Sequence, residues 1–362
     1  MSDLQKELGV VRDEIDSIDG QLLELLNKRA RCAQKVGEIK ARHGEAGFIY
    51  RPEREAQVLR RIQEINPGPL SNENVTWLFR EVMSTCLSLE QPLSVAFLGP
   101  LGSFTGSAAT KHFGHAARLL PQTSIDDVFR EVEAGHAHYA VVPVENSTEG
   151  AVGRSMDLLF ATPLKVCGEV VLRIHQNLMT REASLDKVTK VYSHAQSLAQ
   201  CHEWLNRNLP NVPRISVGSN SQAAEMAMQE EGVAAIAGEA AAERFNVPIL
   251  VANIEDEPNN TTRFLVLGRH DAGVSGRDKT SLIMSAPNRT GSLHGLLLPL
   301  AEAGVSMTRL ESRPARHTLW DYVFFVDIDG HQDEPKVAKA LAELKQQAAY
   351  LKVLGSYPSA VY

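Results

Sequence analysis

The chain has 362 residues, 43% of them hydrophobic and 22% charged, and a net charge of -7. That length predicts two to four soluble globular domains, and an acidic chain without a basic tract excludes nucleic acid, whose phosphates it would repel. No apolar run approaches membrane-spanning length, so a membrane partner is excluded too; Met1 to Glu7 lacks a cationic segment before an apolar core, and the expected location is cytoplasmic.

The first element is a long helix. Leu4, Leu8, Val11, Ile15, Ile18, Leu22 and Leu25 recur at spacings of four and three, and after Arg29 the stripe resumes with Cys32, Val36 and Ile39. This predicts a rod of roughly 50 Å whose seam packs against other helices, including a second copy of itself. A guanidinium in that seam needs an anion, either a Glu of a facing helix that fixes register or the carboxylate of a ligand. Arg12 and Lys40 share nearly the same angular sector, and a second helix opens with Arg51-Pro52-Glu53-Arg54-Glu55. Several cations facing one helical core point to a pocket for a small dianion. A third helix runs from Glu73 to Leu89, after the break at Asn66-Pro67-Gly68-Pro69.

At Gln91-Pro92 the period becomes strand-like. Short apolar strands, turns and helices alternate through Leu93–Leu98, Tyr139–Val142, Val188–Tyr192, Ala234–Ala237 and Phe264–Leu267, which predicts an α/β region of two lobes. Gly268–Lys279 reads as a linker. Thr280–Ser285, Ser292–Glu302, Val305–Ser312, Tyr322–Asp329, Pro335–Gln346 and Leu351–Gly355 then spell βαββαβ, the ferredoxin-like order.

Cofactor and metal signals are absent. The turn at Gly99, Gly102 and Gly106 lacks the G-x-G of a dinucleotide fingerprint, and the pairs His112/His115 and His136/His138 lack ligand-like company. Cys32, Cys86, Cys167 and Cys201 are scattered, as buried small residues are.

Residues 1–91 resemble the all-helical chorismate mutases, with Arg12, Arg29, Lys40, Arg54, Glu55 and Glu90 where that family keeps its binding residues. The resemblance implies a homodimer in which Arg12 reaches the partner's pocket, carboxylates held by Arg12, Arg29 and Arg54, and Lys40 donating to the ether oxygen of chorismate. Glu90 donates only when protonated, where some relatives have glutamine; its other reading is a solvated helix end. Arg51 stands where some members have an acid that binds the substrate hydroxyl.

Residues 93–270 resemble prephenate dehydratase through five ordered motifs: Gly99–Thr105, Val142–Ser147, Ser193–Gln196, Gln200-Cys201 and Thr261–Phe264. The resemblance implies two lobes like those of periplasmic binding proteins with the ligand between them. It makes Thr262 the hydrogen-bond donor to the leaving hydroxyl, and Glu145, Asn146, Ser193 and Gln200 the network that orients prephenate. Arg263 either holds a carboxylate or is structural. Ser103 and Thr105, and likewise Ser219 to Ser221, offer amides to an anion and equally cap helices.

Residues 278–362 resemble an ACT regulatory domain through Asn288-Arg289-Thr290-Gly291-Ser292-Leu293 and Glu311-Ser312-Arg313-Pro314, the two loops that bind phenylalanine in dehydratases. Ser292 replaces the usual alanine. Together the resemblances imply a cofactor-free bifunctional enzyme of phenylalanine biosynthesis, acting on chorismate and prephenate and inhibited by L-phenylalanine. Two rivals are an amino-acid sensor with silent lobes and a dehydratase whose helices serve only as a dimerisation coil.

Overall fold

The computed structural model describes residues 3–43, 50–286, 289–314 and 322–361. Three helices come first: α1 (Asp3–Arg42), α2 (Pro52–Ile65) and α3 (Asn72–Ser88). Pro52 starts α2 where a missing N–H is harmless, and the Ser71 hydroxyl caps α3 by accepting from the Asn74 amide. No residue of α1 is buried, and its seven-residue stripe from Leu4 to Leu25 is exposed.

The first lobe holds β1 (Ser94–Leu98), α4 (Phe104–Phe113), β2 (Arg118–Gln122), α5 (Ile125–Glu133), β3 (Tyr139–Asn146), β4 (Gly150–Ala151), α6 (Gly153–Ala161) and β5 (Lys165–Arg173). The chain then builds a second lobe from β6 (Asn177–Thr180), β7 (Lys190–Ser193), α7 (Ala195–Gln200), α8 (His202–Asn208), β8 (Arg214–Ser216), α9 (Asn220–Gln229), β9 (Val233–Ala237), α10 (Glu239–Phe245) and β10 (Ile249–Val251). It returns as β11 (Thr261–Gly268), which inserts antiparallel between β3 and β5. The sheets run β2-β1-β3-β11-β5, with β4 beside β3, and β10-β6-β9-β7-β8. Two crossings between the lobes leave a cleft between them.

The C-terminal domain is β12 (Asp278–Ser285), α11 (Ser292–Glu302), β13 (Met307–Pro314), β14 (Tyr322–Asp329), α12 (Pro335–Gln347) and β15 (Tyr350–Pro358), in sheet order β13-β14-β12-β15. This is the expected βαββαβ fold. Strand β5 escapes the apolar pattern because Gly168-Glu169 interrupts it; the buried Glu169 carboxylate is paired with Arg263 and Lys279.

The three units share interior. Ile283, Val323, Phe325, Leu354 and Tyr357 of the C-terminal sheet pack in one core with Val142, Val144, Leu265 and Leu267 of the first lobe. Lys352 Nζ donates to the carbonyls of Leu159, Phe160 and Thr162 at the end of α6, where the helix dipole favours a cation. Arg60 of α2 donates to the carbonyls of Ser275, Arg277 and Ser359. Gly114, at φ +73°, lets α3 approach: a Cβ there would stand 2.5 Å from that of Ser84.

At the junction of α4 with the helical domain, His112 Nε2 lies 3.1 Å from Tyr50 Oη, amid Tyr50 and Phe113. Burial, and then the nearby Arg80, push the His112 pKa down to about 3. The unfolded chain takes that proton near 6.5, so this site contributes stability above that pH that is lost as pH falls toward 3. His112→Gln is expected to flatten the decline of the urea midpoint between about pH 6.5 and 4; an unchanged decline would count against a neutral, buried imidazole.

Candidate active sites

One cavity of about 280 Å³ in the helical domain is lined by Arg29, Lys40, Arg51, Arg54, Glu55 and Glu90, with Val36, Val58, Met83 and Leu87 as apolar wall. Tyr50, Leu93 and Phe113 close it, the last two from the first lobe and its entry. Six of the seven residues expected here thus meet. Arg12 does not: it is 17 residues before Arg29 on one continuous helix, about 26 Å along the axis. Among the described residues no carboxylate is in ion-pair range of Arg29 or Arg54, so their charge is left for a ligand. Arg51 sits 3.9 Å from Glu53.

Glu90 is set against α1 at Gly37, where a Cβ would be 3.0 Å from Glu90 Cγ, so the glycine lets the carboxyl lie close to the helix without displacement. Its Oε2 is buried without a hydrogen-bond partner among the described residues, and burial raises its pKa while Lys40 opposes the rise. An acid placed this way can donate. Glu55 is also buried and its pKa raised by that burial, with Arg80 Nε, 3.4 Å away, holding it back. Gly37 and Arg80 gave no sequence signal, since their roles exist only once the helices pack.

In the cleft, Asn146 and Thr262 are register partners on β3 and β11. Asn146 Nδ2 donates to Thr262 Oγ1 and to Asn260 Oδ1, both at 2.9 Å. Its Oδ1 accepts from the Thr148 amide and hydroxyl and from the Glu149 amide. The amide is therefore saturated and cannot flip. Because Asn146 occupies a lone pair of Thr262, the threonine proton is free to point at another acceptor.

From the second lobe, Gln200 Nε2 reaches Glu149 Oε1 across the cleft at 3.2 Å, and Gln176 Nε2 donates to Gln200 Oε1 and Ser197 Oγ. Asn220 Nδ2 also donates to Ser197 Oγ. Gln176 Oε1 and Asn260 Nδ2 are buried with no partner among the described residues, polar atoms that a ligand or water can satisfy. Ser103 Oγ caps α4 by accepting from Gly106 N, and Ser219 Oγ caps α9 by accepting from Gln222 N. These two helix starts meet: Ser221 Oγ donates to the Leu101 carbonyl at 2.6 Å. Thr105 is buried in the first turn of α4.

Two expectations for this site, Glu145 and Ser193, need correction, and of the two readings of Arg263 the structural one fits its contacts. Glu145 and Arg263 are register partners, and as the strand neighbours of Asn146 and Thr262 they point to the opposite face of the sheet. Glu145 is 2.7 Å from Arg309, and Arg263 is held by Glu169 and Asp327, so both face the C-terminal domain and not the cleft. Ser193 is wholly buried, its hydroxyl 2.7 Å from the Ile236 carbonyl and 2.9 Å from Asn220 Oδ1; it holds Asn220 and does not meet the cleft.

In the C-terminal domain, Gly291 (φ +80°) precedes α11, with Ser292 its first residue and Leu293 partly exposed. Glu311, Ser312, Arg313 and Pro314 end the edge strand β13. Both stretches lie at one end of the sheet, since Ser285, Val323 and Arg313 are in register across it. Arg313 is paired with Asp157 of α6 at 3.3 Å. Asn288 lies outside the described residues.

A family model for chorismate mutase type II matches residues 11–91, one for prephenate dehydratase residues 95–272, and one for the ACT domain residues 280–346. A bifunctional chorismate mutase/prephenate dehydratase from Neisseria gonorrhoeae is 55% identical over 353 residues, 97% of this chain and 96% of the relative. The chain belongs to this family of bifunctional chorismate mutase/prephenate dehydratases. The Escherichia coli K12 member is 34% identical over 384 residues, covering 98% of this chain and 97% of its own. A solved prephenate dehydratase from Arthrobacter aurescens, in complex with L-Phe, is 32% identical with a TM-score of 0.68 over 74% of this chain and 90% of its own. Membership leaves neither the silent sensor nor the bare coil as a reading of the chain.

Two outcomes test the geometry. Mutase kcat/KM is expected to fall about tenfold per unit as pH rises past the raised Glu90 pKa, and Glu90→Gln to flatten that profile; a profile that the substitution leaves alone removes Glu90 from the reaction. Thr262→Val should lower dehydratase kcat by about a hundredfold or more while Thr262→Ser keeps most of it, as steady-state assays on prephenate will show.

Proposed function

We propose that the helical cavity rearranges chorismate to prephenate, that the cleft converts prephenate to phenylpyruvate, and that L-phenylalanine bound to the ACT domain inhibits the second step. The observation that carries the first part is a cavity ringed by Arg29, Arg51, Arg54 and Lys40 and sized for a small diacid, in which Arg29 and Arg54 have no carboxylate in ion-pair range among the described residues. Arg29 and Arg54 hold the carboxylates in the reactive conformer. As the carbon–oxygen bond lengthens, Lys40 and protonated Glu90 donate to the ether oxygen; no nucleophile or cofactor is needed, only preorganised charge.

For the second step, the electrons of the ring–carboxylate bond flow into the ring, carbon dioxide departs, and the C4 hydroxyl leaves with its bonding pair. Thr262 donates a hydrogen bond to that oxygen, its direction set by Asn146. Gln200, fixed by Gln176 and Glu149, orients the substrate from the opposite lobe. Aromatisation supplies the driving force, so the residues need only polarise and position.

The protein acts as a cytoplasmic homodimer in this reading. Support comes from the exposed apolar stripe of α1 and from the distance of Arg12 to its own pocket: a second copy covers the one and brings its Arg12 to the other. The edge strand β13 offers a second contact beside the phenylalanine loops Gly291–Leu293 and Glu311–Pro314. L-Phe in the Arthrobacter relative supports the choice of effector.

Mixing two inactive variants tests the shared pocket. Arg12→Ala and Arg29→Ala are each expected to lack mutase turnover, whereas co-expressed chains should recover about a quarter of the wild-type rate, because half the dimers are mixed and each has one intact pocket. No recovery in verified mixed dimers would mean that Arg12 serves its own protomer.

A further inference from the structure

Four charged residues form a ring between the dehydratase sheet and the ACT sheet. Glu145 and Arg263 are register partners on β3 and β11, and Arg309 and Asp327 are register partners on β13 and β14. Across the domains, Arg309 Nε lies 2.7 Å from Glu145 Oε2 and Arg263 Nη1 lies 2.5 Å from Asp327 Oδ2. The signs alternate around the ring, with ion pairs on the two sides that cross the domains and backbone register on the other two; Arg263 is paired with Glu169 as well. Asp327 and Arg263 are nearly buried, so removing either of them would leave the other's charge poorly compensated.

One step further along each dehydratase strand stand Asn146 and Thr262, themselves register partners on the other face. The ring therefore grips the backbone at the residue next to both members of the reacting pair. It does so at the bulge, where the ladder between β3 and β11 is locally broken and holds the strands less firmly. The two halves of the ring are unequal. Arg263 also donates to Tyr357 Oη at 2.9 Å, and Asp327 accepts from Ser281, whereas the approach of Arg309 to Glu145 lacks hydrogen-bond alignment and its buried Nη2 has no acceptor among the described residues.

We propose that Arg309 and Asp327, although they belong to the ACT domain, are positioning residues for dehydration: the ring sets the spacing of β3 and β11 that lets Asn146 aim the Thr262 hydroxyl. Glu145–Arg309 is the corner held by charge alone, and it lies on β13, two residues before the Glu311–Pro314 loop. The inference rests on Thr262 and Asn146 acting as proposed above.

The test uses the full-length chain, with mutase turnover of chorismate in the same preparation as a control for folding. Arg309→Met is expected to lower dehydratase kcat about tenfold with prephenate KM and mutase turnover within about twofold, and Arg309→Lys to restore most of it. Glu145→Gln, at the more exposed corner, should reproduce the loss, and the double variant should lose no more than either single one. Wild-type kcat in Arg309→Met or Glu145→Gln, or losses that multiply in the double variant, would overturn the proposal; should Arg309→Met fail to fold, Glu145→Gln decides. Full dehydration by Thr262→Val would instead overturn the assignment of the site itself.

Discussion

Positive charge that cannot be neutralised is the constraint from which the helical domain follows. An arginine keeps its proton at any accessible pH, so Arg29 in a helical seam and Arg54 at the mouth of α2 must be answered by an anion or remain hydrated. The acids in and beside the cavity are engaged otherwise: Glu55 is turned to Arg80, Glu53 to Arg51, and burial raises the pKa of Glu90. What is left is a space whose field selects a dianionic guest and whose apolar wall excludes a larger hydrated one. The same field assists a reaction in which negative charge grows on an ether oxygen.

The dehydratase cleft solves a different problem with almost no net charge. A threonine is a poor acid, and its usefulness depends on where its single proton points. Five hydrogen bonds on Asn146 make that direction a property of the backbone around residues 146 to 149 and of β11, and not of side-chain freedom. Burial of Ser193 behind Asn220 shows the same economy in the other lobe: one hydroxyl holds a residue that holds another. Rigid scaffolding of this kind lowers the reorganisation that polarising a leaving group requires.

Legibility in the sequence differed by level. Periodicity located the long helix, the change to strands near residue 93 and the βαββαβ order, because each depends on local alternation of apolar residues. The residues of the helical cavity could be named because one face of a helix collects positions that are several residues apart. For the cleft, grouping residues by motif misled where alternation would not have: neighbours on a strand, such as Glu145 and Asn146 or Arg263 and Thr262, must face opposite sides of the sheet. Glu145 and Arg263 stand beside Asn146 and Thr262 in the chain and on the opposite side of the sheet in space. Arg309 and Asp327 belong to another domain, and their meeting with that face depends on packing between segments far apart in the chain, Arg263 and Asp327 being 64 positions apart.

One hydrophobic core is built mainly by the first lobe and completed by the C-terminal sheet, with Tyr357 and Phe325 seated among Val142, Val144 and Leu265. The regulatory unit is for that reason not an accessory that recombination could exchange at the 269–277 connection. A chimera joined there would pair two parts of one core shaped in different lineages, so successful grafts must carry the facing residues of β3, β11 and α6 along with the transplanted domain.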